Sequence, residues 1–219
     1  MEWILDTADL DAIRAGLDYY PIEGVTTNPS ILKAALPMDF IPHLKTIKEL
    51  CGDRTFHVQL GSLTADEMVS EAENLQNILG KELFLKVPVT REGIKAISRI
   101  KAGGGHVTAT AIYYPIQGML AMAAGADYLA PYCNRMQNND IDFRAAIAEL
   151  RHLIDRDHYQ SKILAASFKN VSQITAAIDA GAHAVTVQPS ILDSALSSAL
   201  VGDAVAAFAR DQARVLEGK

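Results

Sequence analysis

The stretch from Leu83 to Ala111, LFLKVPVTREGIKAISRIKAGGGHVTATA, decides the fold. An apolar run at Leu83–Val87 is followed by a helix-like stretch at Gly93–Lys101. A glycine turn at Gly103-Gly104-Gly105 then leads into a second apolar run at His106–Ala111. A strand buried on both faces has to be apolar nearly throughout, whereas its crossover helix shows one apolar face, so this alternation marks successive βα units around a parallel sheet. The pattern repeats in both directions. Upstream lie the runs Trp3–Asp6, Gly24–Thr26 and Thr55–Gln59, and downstream Tyr128–Tyr132, Ile163–Ser167 and Ala184–Val187, eight in all. Helix-like stretches between them are clearest at Leu10–Tyr19, Ala65–Leu79, Ile116–Ala124, Phe143–Asp155 and Val171–Asp179. Eight strands can close a barrel, while a doubly wound sheet keeps two edges and usually needs fewer. The expectation is an α/β chain, a single (β/α)8 TIM barrel over residues 1–219.

Residue chemistry at the boundaries agrees. Asn28-Pro29 supplies a helix N-cap and a first-turn proline, Thr64-Ala65-Asp66-Glu67 reads as a capping box, and Pro115 and Pro189 suit first turns. Ala124-Gly125-Ala126-Asp127 and Ala180-Gly181-Ala182-His183 both end a helix on glycine just before a strand, an echo of one repeated unit. Beyond the helix expected after the eighth strand, Asp203–Gly218 spaces Val205, Phe208, Gln212 and Val215 on one face, which predicts an extra C-terminal helix. Its stripe has to be covered either by another subunit or by the chain's own barrel.

Composition narrows the function classes. Hydrophobic residues are 49% and aromatics 6%, so the core is built from Ala, Leu, Ile and Val. A net charge of -6 with no Lys/Arg block argues against nucleic acid. The acidic, strand-like start and the absence of a long apolar segment argue against a signal peptide and a membrane role. Cys51 and Cys133 lack motif spacing, which points away from disulfides and toward the cytoplasm. The six histidines show no metal-site spacing, so neither metal nor other cofactor is expected, and His57 reads as a satisfied core histidine.

In such barrels chemistry sits at the C-terminal strand ends. The polar residues there are Asp6, Thr26 with Asn28, Gln59, Lys86, Thr110, Tyr132 and Ser167, from seven strands. Lys86, apolar on both sides, loses hydration; that disfavours the ammonium and leaves an amine able to attack a carbonyl. The bland alternative is a lysine that snorkels to the barrel mouth into an ordinary salt bridge. Lys169 is the rival lysine, in a polar turn. A Schiff-base lyase also needs proton carriers, and Asp6, Gln59, Thr110 and Tyr132 offer a carboxylate, an amide, a hydroxyl and a phenol, the last three suited to hold one water. Asn28 is either a plain N-cap or a contact for substrate hydroxyls. Arg135, Ser167 and the helix beginning near Asn170 make an anion cradle, unless Arg135 is a solvated loop residue.

Leu5-Asp6-Thr7, Gly24-Val25-Thr26-Thr27-Asn28-Pro29-Ser30, Lys86-Val87-Pro88-Val89-Thr90, Ala130-Pro131-Tyr132 with Asn134-Arg135, and Ala165-Ala166-Ser167-Phe168-Lys169 together resemble the small transaldolase-like family of class I aldolases. The resemblance covers nearly the whole chain in the family's order and spacing. It implies Lys86 as the Schiff-base lysine, Asp6 in proton transfer, Asn28 at the ketose fragment, and Arg135 with Ser167 at phosphate. It also implies reversible cleavage of fructose 6-phosphate to dihydroxyacetone and glyceraldehyde 3-phosphate, and a homodecamer of two pentameric rings with exchanged C-terminal helices. Gln59, Thr110 and Tyr132 match the water-holding set of the aldolases, whereas the transaldolases resemble a Glu, Thr and Phe arrangement. Transfer of the three-carbon unit is the nearest rival, and a noncatalytic sugar-phosphate-binding barrel the rival of another class. Thr108 stands where an apolar residue is expected, and Met136–Asp142 looks individual; both bear on substrate preference.

Overall fold

A computed structural model describes residues Met1–Gly218; Lys219, the last residue of the expected domain, lies outside the described residues. Eight parallel strands close into a barrel in sequence order: β1 (Glu2–Asp6), β2 (Ile22–Thr26), β3 (Thr55–Gln59), β4 (Phe84–Pro88), β5 (His106–Ile112), β6 (Tyr128–Pro131), β7 (Lys162–Ala165) and β8 (Ala184–Val187). β1 pairs with β8, so no edge is left open. The helices are α1 (Leu10–Tyr19), α2 (Pro29–Ala34), α3 (Phe40–Cys51), α4 (Ala65–Leu79), α5 (Arg91–Ala102), α6 (Pro115–Ala123), α7 (Cys133–Gln137), α8 (Phe143–Asp157), α9 (Val171–Asp179), α10 (Pro189–Leu196) and α11 (Ala199–Leu216).

Strand alternation sorts the apolar residues into two cores. Leu5, Val25, Val58, Leu85, Val87 and their equivalents face the helices in one continuous layer. Ile4, Tyr128, Leu164 and Ala184, with Phe84 against them, fill the barrel itself. The N-terminal mouth is closed by charge: the Tyr128 hydroxyl donates to Glu2 at 2.7 Å, and Lys162 pairs with the same carboxylate. Polar inward positions are thereby left to the opposite end.

Local chemistry holds the elements as expected. Asn28 caps α2, the Thr64–Glu67 capping box starts α4, and Pro29, Pro115 and Pro189 stand in first turns. Gly125 and Gly181 take φ of 93° and 105°, the left-handed turn between helix and strand. Several boundaries differ. The sixth and seventh strands stop at Pro131 and Ala165, short of Tyr132 and Ser167, because the chain turns into α7 at one and adopts φ 62° at Ser167 in the other. The extra helix runs Ala199–Leu216 rather than Asp203–Gly218, starting directly after a 50° bend from α10. No single helix among the described residues is long and apolar enough to cross a membrane.

Candidate active site

The C-terminal mouth of the barrel opens into a cavity of about 570 Å³ lined by Asp6, Asn28, Gln59, Lys86, Tyr132, Arg135 and Ser167. Thr26 and Thr110 join this group through hydrogen bonds rather than as lining. The structure thus brings together residues from seven strands or the loops that follow them.

Lys86 lies inside β4, not at its end. It is 4% exposed, and Nζ donates to the Thr27 carbonyl at 2.9 Å. Burial pushes its pKa below the ordinary lysine value, partly offset by the charge of Asp6. The snorkelling salt bridge is therefore not what forms: the direct partner is a backbone carbonyl, and Asp6 acts through charge alone. Burial also raises the Asp6 pKa, against the charge of Lys86 and a 2.8 Å hydrogen bond from the Thr26 hydroxyl. Acid and base are thus both driven toward their neutral forms, which is the arrangement in which a proton moves between them at low cost. Thr26 in turn meets Thr186 hydroxyl to hydroxyl at 2.6 Å, so a strand-eight residue completes the network.

On the far side of the lysine, the Thr110 and Tyr132 hydroxyls bond at 2.9 Å. Burial raises the Tyr132 pKa, so the phenol remains a proton donor, although its bond to Thr110 and the charge of Arg135 oppose the shift. Gln59 lines the cavity, and its Oε1 is buried without a protein partner among the described residues. The Arg135 guanidinium stacks over the Tyr132 ring, 4.9 Å from its centroid, and is held by α7 rather than by a loose loop. Ser167 shares this side, and the exposed Lys169 lines the same cavity. Asn28 is an N-cap: Oδ1 accepts from Ser30 and Ile31 N–H, each at 3.0 Å, which leaves Nδ2 for the cavity it lines.

Beneath the lysine, His57 Nδ1 bonds the Thr108 hydroxyl at 2.8 Å, and its ring stacks on Phe84. Burial, reinforced by Lys86, lowers its pKa well below the usual histidine range, so it is neutral. The expectation of a satisfied core histidine holds for one nitrogen; Nε2 has no protein partner among the described residues. Thr108 is polar because it partners this ring. Among the described residues no three His, Cys, Asp or Glu side chains converge as a metal site would require. Sequence reasoning missed Thr186, the Thr27 carbonyl, Asn134 and Gln188. The inward parity of strand eight offered a signal for Thr186, whereas a backbone carbonyl leaves none.

A family model described as transaldolase/fructose-6-phosphate aldolase matches residues 3–217. The chain is 45% identical, over 96% of both chains, to a probable fructose-6-phosphate aldolase of Streptococcus pneumoniae. It is 33% identical to a probable transaldolase of Streptococcus equi subsp. equi, over 97% of this chain and 98% of that protein. A probable transaldolase of Streptococcus agalactiae is also 33% identical, over 96% and 97%.

Proposed function

The chain belongs to the transaldolase/fructose-6-phosphate aldolase family, and from that premise we propose that it cleaves fructose 6-phosphate reversibly into dihydroxyacetone and glyceraldehyde 3-phosphate through a Schiff base on Lys86. The observation that carries this reading is a lysine buried in an apolar strand at the cavity floor, its pKa lowered and a neutral-leaning carboxyl across from it. Mere binding of a sugar phosphate requires no such amine.

In the cleavage direction the free amine of Lys86 adds to the ketose C2, and the carbinolamine loses water to give an iminium. Removal of the C4 hydroxyl proton breaks the C3–C4 bond; its electron pair moves into the iminium, forming an enamine as glyceraldehyde 3-phosphate leaves. Protonation of the enamine carbon and hydrolysis of the resulting imine free dihydroxyacetone and restore the amine. Asp6 is the proton carrier, its raised pKa matching a group that must both accept and return a proton. Thr110, Tyr132 and Gln59 hold the hydrolytic water, Asn28 Nδ2 meets substrate hydroxyls, and Arg135 with Ser167 receives the phosphate. Transaldolase activity is the second reading, favoured by the names of the 33% identical relatives. Tyr132 and Gln59 argue for release over transfer, since a water they hold can supply the proton to the enamine carbon, the step that release requires and transfer replaces by addition to an aldose. The working enzyme is a cytoplasmic homo-oligomer, a decamer of two pentamers on the family resemblance, with exposed α11 as its connecting element.

Incubation with dihydroxyacetone and borohydride, followed by peptide mass spectrometry, is expected to place a three-carbon adduct on Lys86. An adduct on Lys169, or none from a preparation that cleaves substrate, overturns the assignment.

A further inference from the structure

We propose that Gln173 is a positioning residue for the phosphate end of the site, a buried amide that locks Arg135 and the Ser167–Lys169 loop into one arrangement. The inference rests on the aldolase reading above and adds a residue that does not line the cavity.

Gln173 sits in the first turn of α9 and is 7% exposed. Its Oε1 accepts from the Lys169 N–H at 2.8 Å, which fixes the orientation of the amide. Nε2 therefore faces α7, where its two protons go to Asn134 Oδ1 at 3.1 Å and Gln137 Oε1 at 2.8 Å. Asn134 and Gln137 bracket Arg135 on that helix. One side chain thus makes three of its four possible hydrogen bonds across the two elements that carry the anion-binding groups.

Both elements need an outside restraint. With five residues, α7 is far shorter than the roughly 12 at which a helix begins to sustain itself in water. The loop holds Ser167 at φ 62°, a left-handed conformation that a non-glycine residue keeps only when its surroundings hold it there. Backbone bonds from Cys133 N to Ala166 O at 2.9 Å and from Asn134 N to Ser167 O at 2.8 Å already join the start of α7 to this loop. Gln173 ties down its other end, beyond Arg135. Releasing that end frees the guanidinium to swing from its place over Tyr132, and an exposed arginine with many rotamers binds phosphate less well than one pre-oriented.

The test compares glyceraldehyde 3-phosphate with neutral glyceraldehyde as acceptors for dihydroxyacetone in wild type, Arg135→Ala, Gln173→Leu, Gln173→Glu and Gln137→Ala. Gln173→Leu is expected to raise KM for the phosphorylated aldehyde about tenfold with a much smaller change in kcat, and to affect the neutral aldehyde several-fold less. Gln173→Glu keeps the acceptor for Lys169 N–H but turns an oxygen toward Asn134 and Gln137, so it is expected to show the same selectivity. Gln137→Ala, at an exposed position that folding tolerates, removes one arm and should give a smaller effect of the same sign even if the Gln173 variants fold poorly. If Arg135→Ala is selective while the Gln173 and Gln137 variants lose both acceptors equally or neither, the positioning role is overturned. If Arg135→Ala itself does not discriminate, the phosphate reading fails and this proposal falls with it.

Discussion

Each polar residue around Lys86 does something that an apolar isostere would not, and the consequences separate. Tyr132 keeps its proton because burial raises its pKa, and it shares a hydrogen bond with Thr110. If this pair holds the water that protonates the enamine carbon, Tyr132→Phe should lower release of dihydroxyacetone from fructose 6-phosphate and raise the fraction passed to erythrose 4-phosphate. Quantifying both products with and without the acceptor decides it, and an unchanged ratio means the water site does not control the partition. Below the lysine, His57 and Thr108 form a buried polar pair with one nitrogen left over. Removing one partner strands the other, costing about 1–3 kcal/mol, whereas replacing both with apolar groups of similar shape is neutral or stabilising. Thr108→Val alone should therefore lower the midpoint of thermal unfolding, and His57→Phe with Thr108→Val should restore or exceed the wild-type value. A double variant less stable than Thr108→Val would refute this account. Lys86 was legible in the sequence because a charge inside an apolar run is conspicuous. The His57–Thr108 pair was not: Thr108 stands out as polar and His57 as a core histidine, but with 51 residues between them nothing joins the two until strands three, four and five are side by side.

Secondary elements obey the same logic one level up, since each places a reacting group by how it ends. β5 carries Ala111 at φ 60°, and the β5–β6 register shifts between Ala109 and Ile112, so a local irregularity aims Thr110 at Tyr132. β4 is held from behind by α5, whose Gly93 comes so close that an added Cβ would lie 1.8 Å from the Pro88 carbonyl oxygen. Pro88 is two residues beyond Lys86, and backbone cannot yield as a flexible side chain would. Gly93→Ala should destabilise the chain by about 1–3 kcal/mol through overpacking and lower kcat with it, because lifting α5 moves the end of β4. Gly103→Ala is the control: its φ is ordinary at -80°, and the added Cβ would meet nothing closer than 3.4 Å. Equal melting temperatures for the two variants would show that the close approach is relieved without cost. The eight strands and the long helices were legible because their periods are strong and their caps chemically specific. α2 and α7, of six and five residues, are too short for any period to register. α3 has Pro42 near its start, which reads as a breaker until the helix is seen to begin at Phe40. The ends of β6 and β7 are not legible because nothing in the composition marks where the chain turns into α7 after Tyr132 or takes a left-handed φ at Ser167.

At the scale of the whole molecule, one feature of the isolated chain is out of proportion. The accessible surface is 11407 Å², whereas a compact monomer of 23.7 kDa is expected to expose about 9,800 Å². An excess of roughly 1,600 Å² exceeds the roughly 800 Å² that each partner buries in a standard interface. Its location is plain: α11 has 18 residues and none is buried. Val201, Val205, Phe208, Gln212 and Val215 follow one another at alternating steps of four and three, the spacing of a seam between packed helices. Phe208 is 70% exposed and Val215 76%. The reading that α11 packs on its own barrel is thus not what the structure adopts, and an exposed stripe this apolar is the kind of surface that marks an interaction site. Light scattering at micromolar concentration is expected to give a mass several times 23.7 kDa. Val205→Asp with Phe208→Asp should reduce that mass while leaving the far-ultraviolet circular dichroism of the barrel in place, because these side chains contribute nothing to the barrel's own cores. If the unaltered chain scatters as a monomer, α11 is not an assembly element. If the double variant keeps the full assembly, the subunits are joined by some other face.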